Sequence, residues 1–381
     1  MDWWRRVGWV LMTVLPAAVW FAPLHLAART QHAIAISLFL VISWAFEALD
    51  PGLTGLIGCY LFWALGVTGV DVAFGGFADD PAWFLLGAIL FGTLATKSGL
   101  ARRIAYAVML RVGTSFSRLL LGLILVDVVL TFFIPSGVPR VIIMASIALG
   151  LNQAFGLEPG SNTARAMLLT LTYMASVLDK TIIAGAATIT ARAAMERFGH
   201  MEVLYSQWLL AYLPVDVVLT LAAWRLTLWF FPPEKRALPG GRAYLQGELA
   251  KLGAWKPMEK RSLVLMLAAV GLWTTDSLHH IPPSKIALGI VLAAMLPGIG
   301  VLRIEDLKSV NYLLVFFVAS VTSMGKVLAA TKSVDVLTNA LFGWITPLLG
   351  HTFLAPFGLY WIGLVYHILL ASGISVLSHA R

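Results

Sequence analysis

Long apolar segments recur along most of the chain, and they restrict its fold more than any other feature. An α-helix rises about 1.5 Å per residue, so about 20 apolar residues cross the roughly 30 Å hydrocarbon core of a bilayer. Such segments predict membrane-spanning helices near residues 8–27, 33–49, 52–70, 82–95, 166–191, 208–231, 262–278, 286–302 and 312–330. Because 59% of the residues are hydrophobic and only 12% are charged, the chain cannot form a water-soluble domain with a single core. We predict an all-α polytopic membrane protein that lies in the lipid bilayer.

The basic residues between these segments indicate topology. The formal net charge is +8, but the lysines and arginines concentrate in loops, which argues against a nucleic-acid partner. Residues 97–118 include several basic side chains and no acidic one, and the loop 232–261 is also basic. Because Lys and Arg accumulate in cytoplasmic loops, we predict a multi-pass protein of the inner (cell) membrane with a cytoplasmic N-terminus.

A short echo divides the chain into two similar halves. Ala95-Thr96-Lys97-Ser98 recurs as Ala330-Thr331-Lys332-Ser333, and a Ser-Gly pair follows each copy, as Ser136-Gly137 and as Ser372-Gly373. The order of the predicted spans puts the first copy in the cytoplasm and the second outside. The sequence therefore predicts two inverted-topology repeats, an organisation typical of secondary transporters.

Residues 119–151 predict a re-entrant hairpin. The arm before Pro135 covers only about 24 Å, and the arm after Pro139 is shorter still. Irregular backbone at membrane depth is tolerated only inside protein or at a wet cavity, so we expect the tip to be functional. Residues 98–105, just upstream, have apolar side chains at helical spacing and arginines on the opposite face of the helix. This pattern predicts an interfacial helix, acting as a tether or as a lever for the hairpin.

Three sequence motifs resemble one known family. They are residues 91–105 (FGTLATKSGLARRIA), residues 135–140 (PSGVPR), and residues 173–177 (YMASV), which enter a span that contains Gly185. The chain from about residue 82 to its end resembles the divalent anion/sodium symporters, the citrate, dicarboxylate and sulfate carriers of the ion transporter superfamily. The resemblance implies elevator-type alternating access, a small anionic substrate and a homodimer.

The resemblance also implies where ligands bind. In that family a Ser-Asn-Thr motif lies at each hairpin tip, and a glycine-rich break interrupts the fifth span; together they hold the substrate carboxylates and sodium. Here the tips read Ser136-Gly137-Val138 and Ser372-Gly373-Ile374, so only the serine matches. The coupling ion is therefore open between Na⁺ and H⁺, and no other cofactor is expected. A literal Ser161-Asn162-Thr163 follows a loop and precedes a span, which predicts a helix N-cap instead.

Charged residues inside apolar segments are the candidate site residues, because an ionisable group is costly in hydrocarbon. Arg140 begins the second hairpin arm, where free amides and a guanidinium favour an anion. Alternatively, Arg140 extends to the membrane interface or pairs with Asp127. Asp179-Lys180-Thr181 interrupts the fifth predicted span, in the stretch where that family has its glycine-rich break. There Lys180 either holds the anion, takes the place of a sodium ion, or pairs with Asp179 or Asp127. Asp216 is a further carboxylate that could titrate.

The predicted site is therefore as follows. The substrate-binding residues are Ser136, Gly137, Val138, Arg140, Lys180, Thr181, Ser372 and Gly373, and the ion-coupling residues are Asp127 and Asp179. No metal site is predicted, since the adjacent His279 and His280 have no further ligands beside them.

Enzyme classes fit the sequence poorly. The intramembrane serines lack the glycine that a rhomboid-type protease has two residues earlier, since Ile134 and Leu370 stand there. No His-Glu-x-x-His motif and no Walker-type phosphate loop occurs in the sequence. We therefore expect a protein that is not an enzyme.

The chain divides into predicted segments. They are N-terminal scaffold-like helices (1–81), a first repeat with the hairpin 119–151 (82–231), a cytoplasmic loop (232–261), connecting helices (262–309) and the start of a second repeat (310–381). The second hairpin is expected to be incomplete, because few residues follow its Ser-Gly pair. We predict a secondary active transporter of di- or tricarboxylates or a sulfate-like oxyanion. The alternatives are a cation/proton antiporter of the same superfamily, or a channel or non-transporting membrane protein.

Overall fold

The computed structural model describes residues 3–113, 115–134, 137–158, 160–234, 240–343 and 354–367. The regular elements in these ranges are all helical, which confirms the predicted all-α class. The helices are α1 (Trp3–Phe21), α2 (Ala28–Ala45), α3 (Pro51–Ala64), α4 (Val70–Ala73), α5 (Asp80–Ser98), α6 (Leu100–Val112), α7 (Phe116–Phe133), α8 (Gly137–Ala154), α9 (Asn162–Leu178), α10 (Ala186–Gly199), α11 (Tyr205–Phe230), α12 (Gly241–Lys251), α13 (Pro257–Thr274), α14 (Asp276–His279), α15 (Pro283–Met295), α16 (Ile304–Lys308), α17 (Tyr312–Ala330), α18 (Ser333–Phe342) and α19 (Leu354–His367).

Several of these helices are long and apolar enough to cross a membrane. By length and composition α7, α11 and α17 qualify, and a fourth span results if α5 and α6 count as one bent element. By this measure the described residues contain three or four spans, fewer than the nine predicted from apolar segments, and the predicted number stays a prediction. The predicted span 286–302 is helical only as far as Met295, because Pro297 disfavours the helical conformation at Leu296 before it, and Gly298 then has a left-handed φ of 91°.

The chain forms two compact units. Unit one comprises residues 1–82 and 311–381, and unit two comprises residues 83–310. In unit one α3 packs closely on α17, since a side chain at Gly52 would collide with the Leu313 carbonyl group and one at Gly55 with Ser320. Small residues that let two backbones approach are characteristic of helix packing in membranes.

The second copy of the echo joins α17 to α18 within unit one. Thr331 and Ser333 share a hydrogen bond of 2.6 Å, and the Thr30 hydroxyl on α2 donates to the Thr331 carbonyl oxygen at 2.7 Å. Lys332 between them adopts a left-handed backbone conformation with φ of 55°. This buried network holds the junction of the two helices against α2.

The first copy of the echo lies in unit two and also ends at a bend. α5 and α6 meet at an angle of 69°, and Gly99 between them has φ of 82°. A residue with a side chain rarely adopts this conformation, which accounts for the glycine. The predicted separate helix after Lys97 is therefore present as α6.

The prediction that the arginines of α6 lie on a face opposite its apolar side chains was wrong for Arg103. Arg103 is buried, and its guanidinium forms a two-pronged ion pair with Glu259 on α13, with Nε–Oε1 and Nη2–Oε2 distances both of 3.1 Å. Its charge also lies over the Trp255 ring, 5.1 Å from the ring centre. Arg102, by contrast, is exposed. The pairing with Glu259 turns α6 so that Arg103 points to protein.

The helices of the predicted hairpin are longer than expected. α7 begins at Phe116, three residues before the predicted start, and its 18 residues reach about 27 Å. It therefore meets the length needed to cross a bilayer alone, contrary to the estimate for the first arm. α8 follows from Gly137. The tip residue Ser136 lies outside the described residues, as do Ser372 and Gly373 of the second predicted tip.

The span predicted over residues 166–191 is broken into two helices. α9 ends at Leu178 and α10 begins at Ala186, so residues 179–185 form an irregular connection. The connection contains the Asp179-Lys180-Thr181 sequence that interrupts the apolar pattern. We call residues 179–185 the α9–α10 break.

Candidate functional site

An ion pair joins the two helices of the predicted hairpin. Arg140, in the first turn of α8, donates from Nε to Oδ1 of Asp127 on α7 at 3.0 Å, and from Nη1 to the carbonyl oxygen of Ile134 at 3.0 Å. The Arg140 and Asp127 side chains are 0% and 3% exposed. The structure thus realises the pair that was the alternative to direct anion contact. The guanidinium can bind a substrate only by sharing or leaving Asp127.

Local hydrogen bonds hold the end of the α9–α10 break against the start of α10. The Thr188 hydroxyl in α10 accepts from the amides of Ala184 and Gly185, each at 3.2 Å, and so caps the start of that helix. A side chain at Gly185 would lie 3.3 Å from a carboxylate oxygen of Asp179. Asp179 therefore lies beside the N-terminus of α10, where a negative charge is stabilised by the helix dipole.

Two side chains of α11 hold consecutive residues of the break. The Trp208 indole donates to the carbonyl oxygen of Lys180 at 2.9 Å. The Thr181 hydroxyl donates to Oδ2 of Asp216 at 2.7 Å, and both of these side chains are buried. The Lys180–Thr181 peptide and the Thr181 side chain are therefore both hydrogen-bonded to a neighbouring helix.

The Lys180 side chain itself remains exposed, and it forms no ion pair among the described residues. The expected alternatives of a pair with Asp179 or Asp127 are thus absent from this part of the chain. Its ammonium is near enough to interact electrostatically with Asp216. A cation carried on a fixed backbone and not neutralised by direct contact can attract an anion.

Packing brings the break and the hairpin helices together in unit two. Leu178 and Met174 on α9 pack in a buried cluster with Ile124, three residues before Asp127 on α7. The Trp224 ring of α11 joins this cluster and donates to the Ser117 carbonyl oxygen at 3.1 Å. Of the predicted residues with described side chains, Asp127, Arg140, Asp179, Lys180 and Thr181 therefore lie on helices that contact one another or on their ends. Gly137 and Val138 are the first residues of α8.

Sequence reasoning missed Trp208 and Thr188 as parts of this region. Trp208 lies in an apolar, aromatic stretch that predicts lipid contact, and nothing local marks its bond to a carbonyl group 28 residues away. Asp216 did carry a signal, since it is the acidic residue of the apolar helix α11.

The N-cap prediction at the other end of α9 is confirmed. The Ser161 hydroxyl accepts from the Ala164 amide at 3.3 Å. Glu234 adds a second cap, because its carboxylate accepts from the amides of Asn162 and Thr163 and from the Thr163 hydroxyl. These hydrogen bonds lower the pKa of Glu234 to about 2. The literal Ser-Asn-Thr sequence thus has a structural role at a helix start.

The long apolar helices, the ion pair inside them and the broken helix define a polytopic membrane protein with the features of a transporter. The chain belongs to the family described as the sodium:sulfate symporter transmembrane region, whose model matches residues 2–379. The resemblance drawn from the sequence motifs is therefore confirmed. The family is one of transporters, so the expectation that the chain is not an enzyme is also confirmed.

Individual relatives are more distant. A protein called only a membrane protein, from Cupriavidus necator, is 27% identical over 74% of this chain and 58% of its own length. A sodium-dependent dicarboxylate transporter of Staphylococcus saprophyticus is 25% identical over 67% of this chain and 51% of its own length. An L-tartrate/succinate antiporter of Shigella dysenteriae is 23% identical over 71% of this chain and 61% of its own length. The chain thus spans about half to two thirds of the curated relatives it matches.

Proposed function

We propose that this chain belongs to a secondary active transporter of small anions, either di- or tricarboxylates or a sulfate-like oxyanion, driven by an Na⁺ or H⁺ gradient. The family match over residues 2–379 carries the proposal. The names of the relatives support a dicarboxylate, since they include a sodium-dependent dicarboxylate transporter and an L-tartrate/succinate antiporter.

The proposed anion site in unit two lies between the start of α8 and the α9–α10 break. Lys180 supplies an exposed ammonium on a backbone fixed by Trp208 and Asp216. Thr181 and the tip sequence Ser136-Gly137-Val138 supply hydroxyl and amide groups. Arg140 contributes by polarising the tip while it pairs with Asp127. By the sequence echo, Ser372 and Gly373 are the proposed substrate-binding residues of the second repeat.

The proposed transport cycle is alternating access of the elevator type. The hairpin formed by α7 and α8 and the broken helix move as one body, and the bend at Gly99 and α6 accommodates the movement. Asp127 and Asp179 are the proposed ion-coupling residues. Two inverted repeats, a homodimer and an inner-membrane location with a cytoplasmic N-terminus complete the proposal, together with the segment boundaries predicted from the sequence.

Uptake into proteoliposomes tests this function. The full-length gene product is reconstituted, and radiolabelled succinate, citrate and sulfate are offered under imposed Na⁺ or H⁺ gradients. Lys180→Gln is compared with Lys285→Gln, which removes an exposed lysine on α15. Loss of a charged hydrogen bond costs about 1.5 to 3 kcal/mol, so we expect Lys180→Gln to raise KM at least about tenfold and Lys285→Gln to leave it unchanged.

Two outcomes would contradict the proposal. If no anion enters but an imposed sodium gradient changes the luminal pH, the cation/proton antiporter alternative replaces it. If the labelled anions only equilibrate across the membrane, and no imposed Na⁺ or H⁺ gradient drives their accumulation, the channel alternative replaces it. Equal KM values for the two lysine variants would remove Lys180 from the site while leaving the transport function in place.

A further inference from the structure

An apolar groove runs along α2 in unit one, with α1 and α3 as its walls. Both walls pack directly on α2, since a side chain at Gly8 on α1 would collide with Phe46, and one at Gly58 on α3 with Leu40. The groove has a volume of about 390 Å³. Its lining side chains are all apolar or aromatic, and they include Met12, Ala17, Phe21, Ile36, Phe39 and Leu61. The groove therefore matches hydrocarbon and not a small anion.

Polar contacts hold the shape of the groove at the end nearest the α1–α2 connection. The Gln31 side-chain amide donates at 2.7 to 3.0 Å to three carbonyl oxygens around the end of α1. The Trp20 ring at the end of α1 stacks on the His32 ring of α2, with the ring centres 3.6 Å apart. These contacts fix the end of α1 to the start of α2. The groove is thus formed before a ligand enters, which lowers the cost of ordering on binding.

The length of the groove matches one leaflet of a bilayer. Its lining residues on α1 run from Met12 to Phe21, which is about 14 Å along a helix that rises about 1.5 Å per residue. The hydrocarbon core is about 30 Å thick, so one leaflet contributes about 15 Å. Because α1 and α2 belong to predicted spans, an acyl chain that enters from the side opposite the N-terminus fills the groove as far as the middle of the membrane.

A cationic side chain lies at the open end of the groove. Arg29 is in the first turn of α2, on the same helix face as Ile36 and Phe39 of the groove. It is exposed and forms no ion pair among the described residues. Residues 22–46 contain no acidic side chain. Since a guanidinium binds phosphate oxygens through two parallel hydrogen bonds, Arg29 is placed to contact a phosphate at the level of the lipid headgroups.

The groove and the cation together favour a lipid over a second copy of this chain. A symmetric partner packed on this face would bring two Arg29 side chains to the same level of the membrane, where like charges repel. Hydrocarbon is as apolar in the bilayer as in the groove, so an acyl chain gains packing contacts but no hydrophobic driving force. Selectivity must therefore come from the headgroup, and Arg29 favours an anionic one.

We propose that this groove binds one anionic phospholipid of the leaflet opposite the N-terminus. One acyl chain lies between α1 and α3, and the headgroup phosphate contacts Arg29. The bound lipid fills the space between the two helices and holds both of them against α2. It is a structural lipid of unit one, and its binding does not depend on which solute the protein carries.

Native mass spectrometry of the full-length protein tests this site. Protein that has been purified in a mild detergent and stripped of lipid is incubated with phosphatidylglycerol, or with phosphatidylcholine of the same acyl chains. The lipids retained per chain are counted at increasing lipid concentration. Ala17→Phe fills the groove from an exposed position, and Ala18→Phe is the matched control because this neighbouring exposed side chain does not line the groove. Arg29→Gln removes the cation, and Arg6→Gln removes an exposed arginine at the other end of α1.

The wild type should retain one phosphatidylglycerol per chain and bind it about fivefold more tightly than phosphatidylcholine. Ala17→Phe should lose this lipid, because its ring occupies the space of the acyl chain, and Ala18→Phe should keep it. Arg29→Gln should bind the two lipids equally, whereas Arg6→Gln should keep the preference. Added phosphatidylglycerol should raise the melting temperature of the wild type and of Ala18→Phe but not of Ala17→Phe, since a ligand of the folded state stabilises it.

The outcomes that contradict the inference are distinct. Retention of phosphatidylglycerol by Ala17→Phe at the wild-type level would overturn the groove as the binding site. Equal binding of the two lipids by the wild type, or an unchanged preference in Arg29→Gln, would overturn the contact with an anionic headgroup, and this result decides the matter even if Ala17→Phe does not fold. A wild type that retains no lipid but changes its oligomeric state in Ala17→Phe would assign the groove to a second copy of the chain instead.

Discussion

The α7–α8 pair and the α9–α10 break both place charged side chains within apolar segments, but they treat those charges differently. Arg140 and Asp127 are buried and neutralise one another at 3.0 Å. In the break, Lys180 is exposed and its backbone, not its ammonium, is held in place. The first arrangement is a closed electrostatic unit that joins two helices. The second leaves a charge outside any ion pair among the described residues.

The comparison first predicts a large effect from breaking the closed pair. Arg140→Gln leaves Asp127 buried without its counter-charge, and removal of one partner of a buried ion pair costs about 3 to 5 kcal/mol. We expect a corresponding fall in the free energy of unfolding, measured by thermal or denaturant unfolding of the protein in detergent micelles.

The double variant Arg140→Gln/Asp127→Asn is the control for this effect. It removes both charges and keeps polar groups of similar size, so it should recover a large part of the lost stability. If the single variant is as stable as the wild type, the pair is solvated and the contrast between the two regions disappears.

An intermediate effect is expected where α11 holds the break. Thr181→Val keeps the shape of the side chain but removes its hydrogen bond to Asp216, which costs about 1 to 3 kcal/mol for a buried charged acceptor. Thr170→Val is the matched control, because the buried Thr170 hydroxyl on α9 has no hydrogen-bond partner among the described residues. Unfolding in micelles should separate the two variants. Equal stabilities would show that Thr181 and Asp216 do not hold the break.

Local sequence signals predicted much of this comparison. Apolar segments gave the helical membrane class, and the polar sequence Asp179-Lys180-Thr181 marked the position of the break. The Ser161 cap could be predicted because capping depends on residues within three positions of one another. The pairing of Arg140 with Asp127 was one of several alternatives, and the sequence could not choose it over substrate contact because a guanidinium binds a carboxylate on a substrate or on the protein equally well.

Contacts between residues distant in the chain were not predictable in this way. Arg103 was assigned to an outward face because its neighbours follow a helical pattern, yet its partner Glu259 lies 156 positions away. Trp208 was similarly hidden in an aromatic stretch. The end of the span predicted over residues 286–302 was wrong for a different reason, since an apolar pattern does not register where a helix stops, as before Pro297 at the end of α15.

The cap at the start of α9 extends the comparison to the dependence of stability on pH. Glu234 has its pKa lowered to about 2 by hydrogen bonds from Thr163 and Asn162. A lowered folded-state pKa favours the ionised, folded form, so this contribution to stability is complete above the ordinary pKa of 4.5 and is lost as the pH falls toward 2. The wild type should therefore lose stability relative to Glu234→Gln between about pH 5 and pH 2. A constant difference across this range would mean that the cap does not form.

The smallest effect on stability is expected at Lys180. Its ammonium is exposed and forms no ion pair among the described residues, so Lys180→Gln should change the free energy of unfolding by less than about 0.5 kcal/mol. The same substitution is expected to weaken anion uptake at least about tenfold. A residue whose loss barely affects folding but impairs transport is held for the ligand, whereas loss of Arg140 should also destabilise the fold. If Lys180→Gln instead destabilised the protein as much as Arg140→Gln, its charge would serve the fold, and the division of labour between the two regions would be wrong.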